Sequence, residues 1–169
     1  MAEVIWRPRE FLRRLREHRG ILDAARTKML TLSQLEIRNN IVKAITDAKT
    51  IDRGLMRASF SPGHPMTATR FLSASRAAVG SRVHYAIYMD RGTRPHWPPV
   101  QPIREWVKRK RIAIGEEQVK QVAFLISRKI ARFGIKGRHF MKAGLENSLE
   151  RVKELAREMA TSVIEAICK

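Results

Sequence analysis

The sequence predicts an α+β fold: an antiparallel sheet of about four strands packed against long helices, with a helical insertion and N-terminal helices. Three observations lead there. Long stretches toward both ends carry apolar residues at helical spacing. Between them, residues 51–84 are cut by Gly54, Gly63, Gly80, Pro62 and Pro65 into short apolar runs among small polar residues. No connection inside that region is long enough for a parallel crossover helix, which leaves an antiparallel meander. At 169 residues the chain suits one ordinary hydrophobic core. Its organisation reads as an N-terminal helical extension over 1–32 and an α+β domain over 33–169, with a helical insertion at about 97–136.

Pro8 fits the first turn of a helix in which Phe11, Leu12 and Leu15 share a face and Arg13, Arg14, Arg16 and Arg19 point elsewhere; Gly20 is expected to end it. Residues 21–48 are helical, but the apolar face drifts from Leu22, Ala25, Met29 and Leu32 to Ile37, Ile41 and Ile45. Either both faces are buried or the helix restarts; Ser33 with Glu36 forms a capping-box pattern, which favours a restart near 31–33. Strands are predicted at 55–61, 67–73 and 76–85, a helical turn at 85–90, and a loop at 91–99, whose prolines supply no backbone donors. Pro102 opens a short helix with Ile103, Trp106 and Val107 on one face. A further helix from about Glu116 carries Val119, Val122, Ala123, Ile126, Ile130 and Phe133, and Gly134 suits its end. Finally Leu145, Leu149, Val152, Ala156, Met159, Val163 and Ala166 alternate spacings of four and three. This long amphipathic helix, and the helix before Asp52, are expected to pack on the sheet.

The 34 Lys and Arg against 16 Asp and Glu give a net charge of +18, which calls for an anionic partner. DNA, RNA and an acidic protein surface all meet that demand; an anionic membrane ranks last. Cys168 stands alone, so neither an internal disulfide nor a cysteine-rich metal site is expected, and a reducing cytoplasm fits. The N-terminus lacks the apolar run of a signal peptide, and charges interrupt every apolar stretch before it approaches a membrane span.

Catalysis needs a nucleophile, base or metal with a second group to orient it. His18, His64, His84, His96 and His139 are scattered, and phosphate-loop and nucleophile-elbow patterns are missing. No acid lies between Asp52 and Asp90 or between Glu117 and Glu146, which argues against two-metal nuclease chemistry. Metal-free ribonuclease chemistry at His84 or His139 beside an arginine stays open. The sequence assigns no catalytic residue, no cofactor and no metal. The acid-free stretches carry Arg53, Arg57, Arg70, Arg76 and Arg82, then Lys120, Arg128, Lys129, Arg132, Lys136, Arg138 and Lys142. Helix-turn-helix and RNA-recognition signatures are missing, and the aromatics are not strung along a strand as stacking platforms. Phosphate-backbone or general polyanion contact is what these residues support.

Three segments resemble one known family. Thr50-Ile51-Asp52-Arg53-Gly54-Leu55-Met56-Arg57-Ala58-Ser59-Phe60 is similar to its Pro-Val-Asp-Thr-Gly-x-Leu-Arg-x-Ser-Ile, with Thr50 and Arg53 departing from it. Val79-Gly80, then Tyr85-Ala86-Ile87-Tyr88, Asp90 and Gly92-Thr93-Arg94-Pro95 resemble its Val-Gly, Tyr-Ala-x-Tyr, acid and Gly-Thr-Arg-Pro. Gly137-Arg138-His139-Phe140-Met141-Lys142-Ala143-Gly144-Leu145-Glu146 resembles its Arg-Pro-Phe-x-x-Pro-Ala-Leu-Glu, with His139 where proline is usual. The family is that of the tail-completion, or minor tail component, proteins of lambda-like siphophages, also called gene-product-ten-like. The likeness spans about 33–168.

The resemblance implies a structural assembly protein without enzyme activity: a ring, usually hexameric, joining the tail tube to the head connector and threaded by DNA. Its partners would be further copies of itself, the tail-tube protein, the head-completion or connector protein, and passing DNA through nonspecific contacts, with no membrane and no cofactor. It would be made in the bacterial host cytoplasm and end in the virion, at the tail or neck. Asp90, Arg91, Gly92, Thr93, Arg94, Pro95 and His96 are expected to form the docking loop. Lys108, Arg109, Lys110, Arg111, Arg128, Lys129, Arg132, Lys136 and Arg138 would form the basic face. Asp52, Gly54, Arg57, Gly80, Tyr85, Tyr88 and Phe140 are expected to maintain the fold, with Tyr85, Ala86 and Tyr88 folding a short turn onto the sheet. The alternative is a sequence-nonspecific nucleic-acid-binding protein acting outside any virion.

Overall fold

In the computed structural model, which describes residues 8–48 and 53–168, helices dominate and two small antiparallel ribbons stand apart. In chain order the elements are α1 (Pro8–Glu17), α2 (Arg19–Asp47), α3 (Leu55–Ala58), β1 (Arg70–Ser73), β2 (Arg76–Ala78), α4 (Ala86–Arg91), β3 (Gly92–Thr93), α5 (Val100–Arg109), α6 (Glu116–Phe133), β4 (Ile135–Lys136), α7 (Phe140–Glu146) and α8 (Leu149–Cys168). The coarse α+β class holds. The single sheet of about four strands does not: β1 pairs only with β2, and β3 only with β4.

The reason lies in the first predicted strand. Met56, Ser59 and Phe60 are buried, a spacing of three and four rather than two, and Gly54 at φ 78° turns the chain into the short helix α3. The second strand shrinks to β1 plus an isolated Thr67–Ser81 bridge, and the third to β2. With no sheet to cover, the long helices pack on one another: α2 crosses both α7 and α8.

Helix α2 runs unbroken through the expected restart. Ser33 is buried with its hydroxyl on the Met29 sulfur at 3.5 Å, and Glu36 accepts from Asn40 at 2.8 Å, so neither side chain caps. The drifting apolar stripe is served by two partners, α8 along its length and α7 toward its end, instead of by a break. The break falls earlier, at His18, and Gly20 sits inside the first turn of α2. The last amphipathic stretch also divides, at Asn147 and Ser148. Its buried line is Leu155, Val163 and Ile167, while Leu145, Leu149 and Ala166 are exposed.

One core organises the body. Ile41 and Ile45 of α2 meet Met56, Phe60 and Phe140, with Val79, Ala86, Met89 and Met141 packed around them. Where α7 crosses α2 the contact is between backbones, since a Cβ on Gly144 would sit 2.7 Å from the Ile41 amide nitrogen. One turn on, the buried Ser148 hydroxyl donates to the Gly144 carbonyl at 2.6 Å and accepts from Asn40 Nδ2 at 3.0 Å. Small residues thus set the helix separation.

Residues 97–134 form a projection. Helices α5 and α6 pack on each other and bury Val107, Val119, Ala123 and Ser127 between them. Phe133, predicted to face inward, is 74% exposed. The projection returns to the body through the β3–β4 ribbon, in which Gly92 pairs with Lys136 and Thr93 with Ile135.

Candidate functional site

The ribbon brings the second acid-free stretch beside the residues that follow Asp90. Arg91 and Arg94 flank β3, and Arg132, Lys136 and Arg138 flank β4; all five side chains are exposed. The backbones are in contact: a Cβ on Gly137 would lie 2.6 Å from the Arg91 carbonyl carbon, and one on Gly134 2.9 Å from that of Arg94. None of these five cations has a carboxylate partner among the described residues, and the same is true of Arg128 and Lys129 on α6.

The one acid beside them is engaged by the backbone. Asp90 Oδ1 accepts the Met141 amide at 3.0 Å, while its carbonyl accepts the His139 amide at 2.9 Å. His139 precedes α7 at φ 51° and offers no side-chain cap, so Asp90 supplies the cap from a distant segment. Asp90→Ala is therefore expected to cost about 1 kcal/mol, read as a shift of the denaturation midpoint with unchanged slope. Asp90→Asn, which keeps an acceptor, should recover most of it.

The loop is held rather than free. Thr93 Oγ1 accepts the Ile135 amide at 3.0 Å, tying β3 to β4, and His96 Nδ1 donates to the Arg94 carbonyl at 2.9 Å. Arg94 and Pro95 are exposed between these anchors.

The expected basic face divides in two. Lys108, Arg109, Lys110 and Arg111 sit at the far tip of the projection, separated from Gly134 by the 18 residues of α6, or about 27 Å at 1.5 Å per residue. Part of the charge there is paired within the chain: Lys108 and Arg104 pair with Glu116, Arg109 pairs with Glu105, and Lys110 is also engaged. The Lys108 ammonium, hydrogen-bonded to Glu116, holds that carboxyl below the ordinary carboxylate range. A depressed carboxyl keeps its pairing above that range and loses it only as pH falls through the lowered value. The cations available to a partner lie on α6 and around the ribbon.

Comparison with known protein families, with curated proteins and with solved structures returns no match. The remaining site residues are read from the geometry alone. Phe140 is buried in the core, and Gly54 takes a left-handed conformation at φ 78°. Gly80 fits closely, a Cβ there lying 3.3 Å from that of Ala68, and Arg57 is exposed. Asp52 lies outside the described residues. Tyr85 and Tyr88 do not fold inward: they are 44% and 47% exposed, and His84 rests against Tyr88 with ring centroids 5.6 Å apart. It is Ala86 and Met89, between and beside them, that reach the core, so α4 turns its aromatics outward.

Sequence reading missed one feature. Trp97 and Phe124, far apart in the chain, meet with ring centroids 6.0 Å apart and planes inclined by 60°. No local pattern could have paired them. Among the described residues no group of three or more His, Cys, Asp or Glu is placed to hold a metal ion, and no helix is long and apolar enough to cross a membrane.

Proposed function

We propose that the chain is a stoichiometric assembly protein of a tailed bacteriophage, acting at the neck as a ring between tail tube and head connector, with no catalytic turnover. What supports this reading is the meeting of the three segments that carry the family resemblance. Met56 and Phe60 from the first, Ala86 and Met89 from the second, and Phe140 and Met141 from the third share one core. Asp90 of the second segment also caps the helix that opens in the third.

On this reading the 90–96 loop is the docking element, and the unpaired cations beside it face an anionic partner or passing phosphates. Subunits of a closed ring associate head to tail through a contact repeated about the axis. The Arg94 side chain is exposed and has no carboxylate partner among the described residues, so Arg94→Glu is expected to leave the unfolding midpoint unchanged while blocking the joining of heads to tails. Counting unjoined heads and tails in lysates measures this. Full infectivity of the variant would remove the docking assignment.

The unpaired cations favour one other reading, a sequence-nonspecific nucleic-acid-binding protein outside any virion. Titrating duplex DNA binding against salt separates the two. Tight binding that falls steeply, by about 0.9 in log affinity per log salt for each phosphate contact, supports nucleic-acid binding. Near-absent duplex affinity at physiological salt supports assembly.

A further inference from the structure

We propose that the flank of the α5–α6 projection carries a stacking platform for single-stranded nucleic acid. This goes beyond the assembly reading and does not rest on it. Trp97 and Phe124 pack edge to face, yet they remain 57% and 49% exposed. Rings of this size contribute about 150–250 Å² each when buried, so the two together offer an apolar surface for a flat ligand to cover.

Cations stand beside the rings. Arg128 follows Phe124 by one helical turn, which puts the two Cβ atoms about 5–6 Å apart on one face of α6. Arg132 continues the same line one turn later. Neither guanidinium has a carboxylate partner among the described residues, and no acid occurs between Glu117 and Glu146. Flat rings next to unpaired guanidiniums match a ligand that offers flat faces and phosphates at regular intervals.

A single strand is such a ligand, because its bases can leave their own stack and lie on the aromatics whatever their identity. A duplex keeps its base faces covered and presents phosphates, so the guanidiniums would serve it and the rings would not. An acidic protein surface would likewise satisfy the charge alone. The paired rings therefore select among anionic partners that the net charge cannot distinguish.

The test uses the full chain with labelled oligothymidine and a duplex of equal length, at the same salt, read by fluorescence anisotropy and by tryptophan emission. The single strand is expected to bind about tenfold tighter and to quench the emission. Trp97→Ala and Phe124→Ala should each lose about tenfold for oligothymidine and leave duplex affinity unchanged, while Trp97→Phe, which keeps a ring, retains most of the binding. Circular dichroism verifies that the variants fold, and because the emission comes from Trp6, Trp97 and Trp106 together, the part of the quench lost in Trp97→Phe is the part that Trp97 carries. Equal affinity for strand and duplex, binding indifferent to both alanine changes, or capture of polyglutamate but not oligothymidine would each overturn the proposal. The joining assay on Arg94→Glu is a separate readout, so failure here leaves the assembly reading untouched.

Discussion

Replacing Phe140 with alanine is expected to lower the unfolding free energy by about 3–5 kcal/mol. Its ring is 1% exposed and is enclosed by Ile41 and Ile45 of α2, by Met56 and Phe60 of the first motif segment, and by Ala86 and Met89 of α4. Removing it takes one wall from every segment of the body at once, and backbone-level contacts such as that between Gly144 and Ile41 limit how far α7 can move to refill the space. Domains of this size have only about 5–15 kcal/mol in hand, so the variant should stand near the edge of folding. Urea denaturation measures the effect. A loss below about 1 kcal/mol would mean that the three segments do not share a core as described.

Gly134→Ala carries the second large effect, and its consequence is local. Gly134 ends α6 at φ 69° and ψ −163°, a conformation that residues with a side chain avoid, and an added Cβ would lie 2.1 Å from the Thr93 carbonyl oxygen. Backbone strain of this kind costs about 1–3 kcal/mol, and here the clash with β3 adds to it. The ribbon should open while the Ile41, Ile45 and Phe140 core survives. Hydrogen exchange would then show the Ile135 amide, which donates to Thr93 Oγ1, losing protection while the amides of α2 keep theirs. Uniform loss of protection would contradict the division into a body and a tethered projection.

The helices of this protein were legible because their signals are local. The extent of α6, its start at Glu116 and its stop at Gly134, follows from periodicity and from one glycine. The sheet was not legible because Gly and Pro mark where regular structure ends without saying which residues pair. Residues 55–61 read as an apolar strand, and it is the burial of Met56, Ser59 and Phe60 together that marks the short α3 instead. Ser33 and Glu36 illustrate the same gap in α2, where a capping pattern was overridden by the two helices packed along it.

The candidate site was half legible. Its residue types were visible as acid-free, base-rich runs, but their division was not. Lys108 and Arg109 are occupied by Glu116 and Glu105, whereas Arg132, Lys136 and Arg138 are left open beside Arg91 and Arg94. That difference arises from which residues the β3–β4 pairing brings together, and charge counting along the chain carries no such information. The contact of Trp97 with Phe124 lies beyond sequence reading for the same reason.

The central claim is that this basic, carboxylate-poor chain is built into a particle and catalyses nothing. Purifying joined particles from a lysate that makes the chain, and measuring its copies per particle by quantitative mass spectrometry, tests that claim most directly. A fixed, small copy number in joined particles, present already on tails isolated before joining and missing from unjoined heads, is the expected result. Its absence from joined particles would contradict the account.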